Sequence, residues 1–199
     1  IQTKKVVLRK RYWLYYALQF MGGARRQIFV VFAAFLMVEK FEFSVGAISL
    51  LLLANAAINV TLAPKIGRLI HKFGERRSLI FEYVGLAFIF VGYAVVESSS
   101  FAVFLYIADH IFFSIAIALK TYFQKIADPA DIASSAGVSF SINHIAAVFI
   151  PVIFGLIWLY SPSLVFLAGA GMAVLSLFLA LNMPAKPAAG NEVLLGKFT

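Results

Sequence analysis

The sequence contains no cysteine, and only 13% of its residues are charged. The lack of cysteine excludes a disulfide framework and a thiolate metal site. The small charged fraction excludes an ordinary soluble domain, whose surface needs many more polar side chains to face water. Instead, 62% of the 199 residues are hydrophobic, and the mean hydropathy is +0.93. These values predict an integral membrane protein.

Six apolar runs divide the chain, and each is long enough to cross a bilayer. A helix of about 18 apolar residues or more spans a hydrocarbon core of roughly 30 Å. The predicted spans are Tyr12–Val38, Val45–Ala63, Leu79–Val96, Phe101–Phe123, Val138–Tyr160 and Leu164–Met183. Pro64 is expected to help end the second span, and Pro151 to kink the fifth. The expected domains are a basic lead-in at residues 1–11, a six-helix domain at 12–183 and a short, poorly ordered tail at 184–199.

The positive charges fall almost entirely on one side of this topology. Of the 17 lysines and arginines, Lys40 alone lies in a segment on the opposite side, and Arg25 and Arg26 lie within the first span. Cytoplasmic segments attract lysine and arginine, so both termini are predicted to be cytoplasmic. The expected location is a bacterial inner membrane. The net charge of +8 is therefore interpreted as a topology signal and not as a nucleic-acid-binding surface.

The segment between the second and third spans is rich in glycine and arginine. It reads GRLIHKFGERR over Gly67–Arg77 and resembles the cytoplasmic motif G-x-L-x-D-R-x-G-R-R of the major facilitator superfamily, in position as well as in letters. The motif positions of interest are Gly67, His71, Gly74, Arg76 and Arg77. His71 stands where the family usually has aspartate, and Glu75 replaces a basic residue. The alternative interpretation is a basic patch that only sets topology.

The resemblance implies a transporter built from two six-helix halves, each made of two inverted three-helix repeats. It covers nearly all of this chain but only one such half. The chain starts at Ile1 with a basic lead-in that looks like the end of a cytoplasmic linker, so the C-terminal half is the implied assignment. The implied partners are the lipid bilayer, the missing N-terminal half or a second membrane subunit, and a small-molecule substrate.

Two adjacent arginines lie near the middle of the first span. Arginine at a helix centre costs roughly 2.5–3.5 kcal/mol on insertion scales, so such residues are functional candidates. Tyr15, Gln19 and Arg26 share one helical stripe, and Arg25 lies about 100° around the helix. We expect one arginine to face a cavity and the other to pair with protein. Arg25 or Arg26 would bind an anionic group of the substrate, with Gln19 and Tyr15 as further contacts.

The fourth and fifth spans carry further ionisable groups. Asp109 and His110 lie near mid-span, and Asp109 shares a predicted stripe with Lys120 near the end of that helix. In the family that the chain resembles, the first and fourth helices of each half line the central path. Asp109, His110 and His144 are the candidates for proton coupling. Asp109 has an equally weighted alternative role, as a permanent ion pair for an arginine.

Other chemistry has no support in the sequence. There is no nucleotide-binding glycine loop, no metal-ligand spacing, and no nucleophile with its base, so neither an enzyme nor a cofactor is predicted. Glu82, close to the basic motif, is expected to pair with Arg76 or Arg77. The first hypothesis is secondary transport of a small anionic or zwitterionic solute by alternating access, with proton coupling as one option. The second is a non-transporting membrane subunit or assembly factor that uses the same fold as a packing surface.

Overall fold

Long helices account for nearly all of the structure, a computed structural model that describes residues 8–197. Lys4 and Lys5, which contribute to the charge asymmetry, lie outside the described residues. Six helices are each long and apolar enough to cross a membrane. They are α1 (Lys10–Phe41), α2 (Val45–Phe73), α3 (Glu75–Val95), α4 (Ser99–Ile126), α5 (Ile132–Tyr160) and α6 (Pro162–Leu181). Residues 8–197 form no strand, so the predicted all-helical, six-span architecture is confirmed.

The two intramembrane prolines do not interrupt their helices. α2 was expected to end at Ala63 but continues through Pro64 to Phe73. α5 likewise contains Pro151 and runs to Tyr160. A membrane helix tolerates the lost hydrogen bond of proline because lipid offers its backbone no alternative partner, so leaving the helix would cost more. Pro64 is therefore a poor end signal in this setting.

The motif segment is a helical corner and not a loop. α2 ends at Phe73, α3 begins at Glu75, and the one residue between them is Gly74. Its φ of +82° and ψ of 161° lie in a region that is almost restricted to glycine. Gly67 and His71 accordingly lie within α2. The spacing of the motif specifies where one helix stops and the next starts.

Two apolar clusters fill the bundle, one toward each end. The first, nearer the chain termini, reaches Leu18 on α1 and Tyr83 on α3. The second begins at Ala24 on α1 and Leu86 on α3. Buried polar side chains lie where the two clusters meet, namely Arg25, Glu82, Asp109 and Ser176. We call these four residues the buried polar layer.

The helices differ greatly in how much of their surface the bundle covers. In the most apolar stretch of α2 only 6% of the residues are buried, and in that of α5 only 22%. The corresponding fraction is 50% for α1 and 44% for α3. The apolar surfaces of α2 and α5 must therefore be covered by lipid or by another protein surface.

The tail after α6 packs against the bundle, contrary to the expected poor order. The Tyr122 hydroxyl donates to the carbonyl of Glu192 at 2.6 Å. The Trp13 indole Nε1 donates to the carbonyl of Gly196 at 2.9 Å. Val193 is only 2% exposed. The sequence suggested disorder because the tail is short and mixed, but its backbone carbonyls find donors on the helix ends. We call this end of the bundle the terminal face and the opposite end the distal face.

Candidate functional site

Both helices that carry the predicted charged residues lose regular α-helical geometry beside those residues. In α1, Arg25 and Arg26 are followed by a π-helical stretch, Ile28–Ala33. In α4, Asp109 is followed by a 3₁₀ turn, Ser114–Ala116. Such insertions change the number of residues per turn and are frequent at functional sites. The other four spans are continuous α-helices.

Arg25 is enclosed by protein on all sides. The side chain is 2% exposed, and its Nη1 donates to Ser176 Oγ and to the Met172 carbonyl at 3.5 Å. Its guanidinium carbon lies 4.6 Å from the centre of the Tyr83 ring. Nη2 is 4.0 Å from Glu82 Oε1, which is an ion pair without a close hydrogen bond. Arg25 therefore connects α1 to α3 and α6 in the interior.

The two carboxylates of the buried polar layer have no hydrogen-bond donors. Glu82 is 0% exposed and Asp109 is 1% exposed. None of their four carboxylate oxygens has a hydrogen-bond partner in the part of the chain that the structure describes. Asp109 lies within electrostatic range of both Arg25 and Glu82. The layer thus combines two acids and one base, which leaves one acid without a compensating charge.

The expected pairing of Glu82 with the basic motif is wrong. Because α3 begins at Glu75, Glu82 lies two turns inside the helix and faces Arg25. Arg76 instead donates from Nη2 to the Leu181 carbonyl at 2.9 Å. Arg76 and Glu82 are close in sequence but do not contact each other, because Arg76 points to the end of α6 and Glu82 points to Arg25 on α1.

Arg26 has the opposite environment from Arg25. It is exposed in this bundle, with its guanidinium carbon 5.8 Å from the centre of the Phe113 ring on α4. His110, also on α4, lies within electrostatic range of Arg26. The His110 Nε2 is buried and has no hydrogen-bond partner among residues 8–197. Arg26, His110 and Phe113 therefore form a group between α1 and α4, which we call the open face.

The predicted stripe along α1 does not lie on one accessible surface. Gln19 is half-buried, whereas Tyr15 is only 5% exposed. The Tyr15 hydroxyl is 2.8 Å from Ser139 Oγ, and its ring stacks on Phe123 at 4.2 Å between centres. The stripe begins in the core near the terminal face and emerges at Arg26. Tyr15 is therefore not brought to the open face.

The predicted stripe along α4 is also divided. Asp109 is buried, whereas Lys120 is exposed. The 3₁₀ turn at Ser114–Ala116 lies between them. Three residues at 3.0 per turn rotate the helix about 60° more than three at 3.6 per turn. The regular α-helical spacing used for the prediction therefore does not apply across this turn.

His144 lies apart from the buried polar layer. It is exposed on α5, where its Nδ1 is 2.9 Å from the Phe140 carbonyl. Its ring lies 3.9 Å from that of Phe140, measured between centres. Within residues 8–197 no cluster of three histidine, aspartate or glutamate side chains has the arrangement of a metal site.

The motif residues lie at the terminal face. Gly67, His71 and Arg77 are exposed. Glu75, which replaces a basic residue of the motif, is buried and forms an ion pair with Lys125 Nζ at 2.6 Å. This pair links the start of α3 to the end of α4. Its position on the first turn of α3 also places a carboxylate at a helix N-terminus, where negative charge is favoured.

Sequence reasoning missed Glu82 and Ser176 as partners of Arg25. The signal for Glu82 was present, because an ionisable residue inside a membrane span is a functional candidate by default. The proximity of Arg76 and Arg77 in the sequence obscured it. Ser176 carried no signal, since serine is common at contacts between membrane helices.

A comparison with protein-family models identifies the family of the chain. The family model for the Major Facilitator Superfamily matches residues 5–195. Comparisons with curated proteins and with solved structures give no match. The chain belongs to the major facilitator superfamily. Members of this family are membrane transporters and not enzymes, so transport is the general function that membership supports.

Proposed function

We propose that this member of the superfamily contributes to secondary transport of a small anionic or zwitterionic solute by alternating access. Arg26 would bind the negative group of the solute on the open face. His110, and Gln19 about two helical turns before Arg26 on α1, would complete the contact surface, with Phe113 as an apolar wall. Tyr15 is not included, because it is buried against Phe123.

The observation that carries this proposal is the difference between two adjacent arginines. Arg25 has protein partners that account for its charge, whereas Arg26 has an aromatic ring and a histidine beside it. No carboxylate forms an ion pair with Arg26 in the described part of the chain. A guanidinium offers several donors in a planar fork, which suits carboxylate and phosphate groups.

The arrangement in the membrane is part of the same proposal. The terminal face would be cytoplasmic, since it carries nearly all the lysines and arginines outside the spans. The chain would form the C-terminal six-helix half, and the sparsely covered helices α2 and α5 would contact lipid or the second half. The membrane would be a bacterial inner membrane.

Transport and ligand-binding measurements on matched variants test the role of Arg26. The full polypeptide would be assayed for uptake of labelled phosphate, mono- and dicarboxylates and neutral amino acids, and for the shift in Tm that each solute produces. Loss of a charged hydrogen bond is worth about 1.5–3 kcal/mol, so Arg26→Gln should reduce transport and affinity about ten- to hundredfold. Arg26→Lys should retain part of both. Lys186→Gln, at an exposed position in the tail after α6, serves as the control.

The outcome that overturns the proposal is equally specific. If Arg26→Gln transports every solute of the panel as well as Lys186→Gln does and shows the same Tm shifts, Arg26 is not a substrate ligand. The second candidate, a non-transporting membrane subunit, is favoured by the low coverage of α2. It predicts that no solute of the panel is transported, while a stable complex forms with another membrane protein through α2.

A further inference from the structure

The buried polar layer has an unequal number of acids and bases. Glu82, Asp109 and Arg25 are 0%, 1% and 2% exposed. Glu82 is 4.0 Å from the guanidinium, and Asp109 is within electrostatic range of it. With all three groups ionised the layer would carry one negative charge. Uncompensated charge is costly in the middle of a membrane span and is retained where it has a function.

No hydrogen bond within residues 8–197 balances this charge. All four carboxylate oxygens lack hydrogen-bond partners within residues 8–197. Ser176 Oγ is already 2.8 Å from the Met172 carbonyl and accepts from Arg25. The titratable or charged groups that interact with the two acids are Arg25 on α1, Tyr83 and Tyr93 on α3, and Tyr106 on α4, and His110 follows Asp109 in the chain.

We propose that Glu82 and Asp109 share a single proton across Arg25, and that the proton enters from the distal face past Tyr93. With the proton bound, the layer is neutral: one carboxylic acid, one carboxylate and one guanidinium. Release of the proton to water leaves one net negative charge. Nothing else is formed or broken, so the site binds and releases a proton without any further reactant.

A cavity on the distal face supplies the route. It has a volume of about 350 Å³, and its lining includes Glu39, Lys40, Tyr93, Trp158 and Phe166. Tyr93 is 2% exposed, and its hydroxyl has no hydrogen-bond partner in the described part of the chain. The same tyrosine lies within electrostatic range of Asp109. Tyr93 is thus the polar group between the cavity and the two acids.

The use of this proton in transport rests on the function proposed above. Arg25 and Arg26 are adjacent, so the charge of the layer acts on an anion held by Arg26. A neutral layer would favour the anion and a negative layer would repel it. By linkage, each ligand then raises the affinity of the other, and proton and anion would move in the same direction.

Infrared spectroscopy tests the proton site without any transport assay. The purified chain in lipid nanodiscs at neutral pH should show the carbonyl-stretch band of one protonated carboxylic acid. Glu82→Gln and Asp109→Asn should each abolish it, because the remaining carboxylate is balanced by Arg25. Glu97→Gln, at an exposed distal position, should leave it unchanged. A wild-type spectrum without the band, or a band that survives both single variants, overturns the shared proton.

The Tm values of the same variants provide a second test, which also shows whether each variant folds. Each single neutral variant keeps the layer balanced and should retain nearly the wild-type Tm. The double variant Glu82→Gln/Asp109→Asn leaves Arg25 alone, and its Tm should fall far more than the sum of the single effects. Additive effects would contradict the shared proton.

The route of the proton past Tyr93 and the coupling of the proton to transport are tested by separate measurements. After transfer to deuterated buffer, the shift of the carboxylic acid band should be slower in Tyr93→Phe than in Tyr160→Phe, an exposed control. Equal rates exclude the route past Tyr93. If the band behaves as expected but transport does not depend on the proton gradient, the proton site stands and its coupling to the proposed transport is wrong.

Discussion

Neighbouring positions of α1 place the same residue types in opposite environments. Gly23 and Arg25 are buried against other helices, whereas Gly22 is half-buried and Arg26 is exposed. A Cβ atom on Gly23 would lie 2.6 Å from the Asn143 side-chain oxygen, but one on Gly22 would have no neighbour within 4 Å. One short helical segment therefore packs against α5 through Gly23 and against α3 and α6 through Arg25, and it also presents Arg26 as an exposed cation.

This difference separates two functions for intramembrane charge. The buried arginine donates from Nη1 to Ser176 and Met172 and has Glu82 beside Nη2, while its Nε has no hydrogen-bond partner within residues 8–197. Among the residues that the structure describes, the exposed arginine has an aromatic ring and a histidine close to it and forms no ion pair. A charge with protein partners holds the fold and tunes neighbouring acids, whereas a charge without them can bind a solute.

The largest expected effect comes from removing the buried arginine. Arg25→Met leaves the ionised carboxylate of the buried polar layer without a counter-charge, and removal of one partner from a buried ion pair costs about 3–5 kcal/mol. The free energy of unfolding, measured by denaturant titration in detergent micelles, should fall by that amount. Arg26→Met is the matched control and should change it little. Equal losses in the two variants would contradict the difference in environment between Arg25 and Arg26.

Substitution of the adjacent glycines Gly22 and Gly23 should give the next largest effect on stability. Gly23→Val should destabilise the protein by about 1–3 kcal/mol, because the added side chain overlaps Asn143 on α5. Gly22→Val changes helix propensity by the same amount but meets open space. The difference in Tm between the two variants therefore measures the packing of α1 on α5. A difference close to zero would mean that α1 and α5 are not in close contact at this level.

The two motif glycines, Gly67 and Gly74, provide a similar comparison at the terminal face, because one lies inside a helix and the other between two helices. Gly74 has a φ of +82°, and a Cβ atom added there would have no neighbour within 4 Å, so the penalty for Gly74→Ala is purely one of backbone conformation. Such strain costs about 1–3 kcal/mol. Gly67 lies inside α2, where Gly67→Ala should gain up to about 1 kcal/mol from helix propensity. Thermal unfolding should show opposite signs, and a stabilising Gly74→Ala would contradict the helical corner.

The smallest expected effect concerns the ion pair between Glu75 and Lys125. Lys125 is about half exposed, so solvent screens the pair, and Glu75→Gln should cost about 0.5–1 kcal/mol. Because exposed charges are screened by ions, the loss should shrink at high salt. The loss caused by Arg25→Met should not. A salt-insensitive loss at Glu75 would show that this pair resembles the buried layer more than its exposure indicates.

Hydropathy was sufficient for some features of this protein. The six spans follow from run length, because a bilayer requires a minimum apolar length and a helical backbone. The motif was informative in position, since Gly74 stands at the one residue between α2 and α3. The helix end near Pro64 was misplaced because an internal proline was interpreted as a stop signal. The start near Leu79 was misplaced because the charged ends of α2 and α3 continue the helices beyond the apolar runs.

Only tertiary structure decided which arginine is buried. Helical periodicity separates Arg25 from Arg26 by about 100°, but it does not say which neighbouring helix lies at either angle. It also assumes a constant number of residues per turn, which fails at the 3₁₀ turn beyond Asp109. Glu82 became a partner of Arg25 because α3 and α6 pack beside α1 there. Sequence determined which residues enter the membrane, and packing determined which of them face one another.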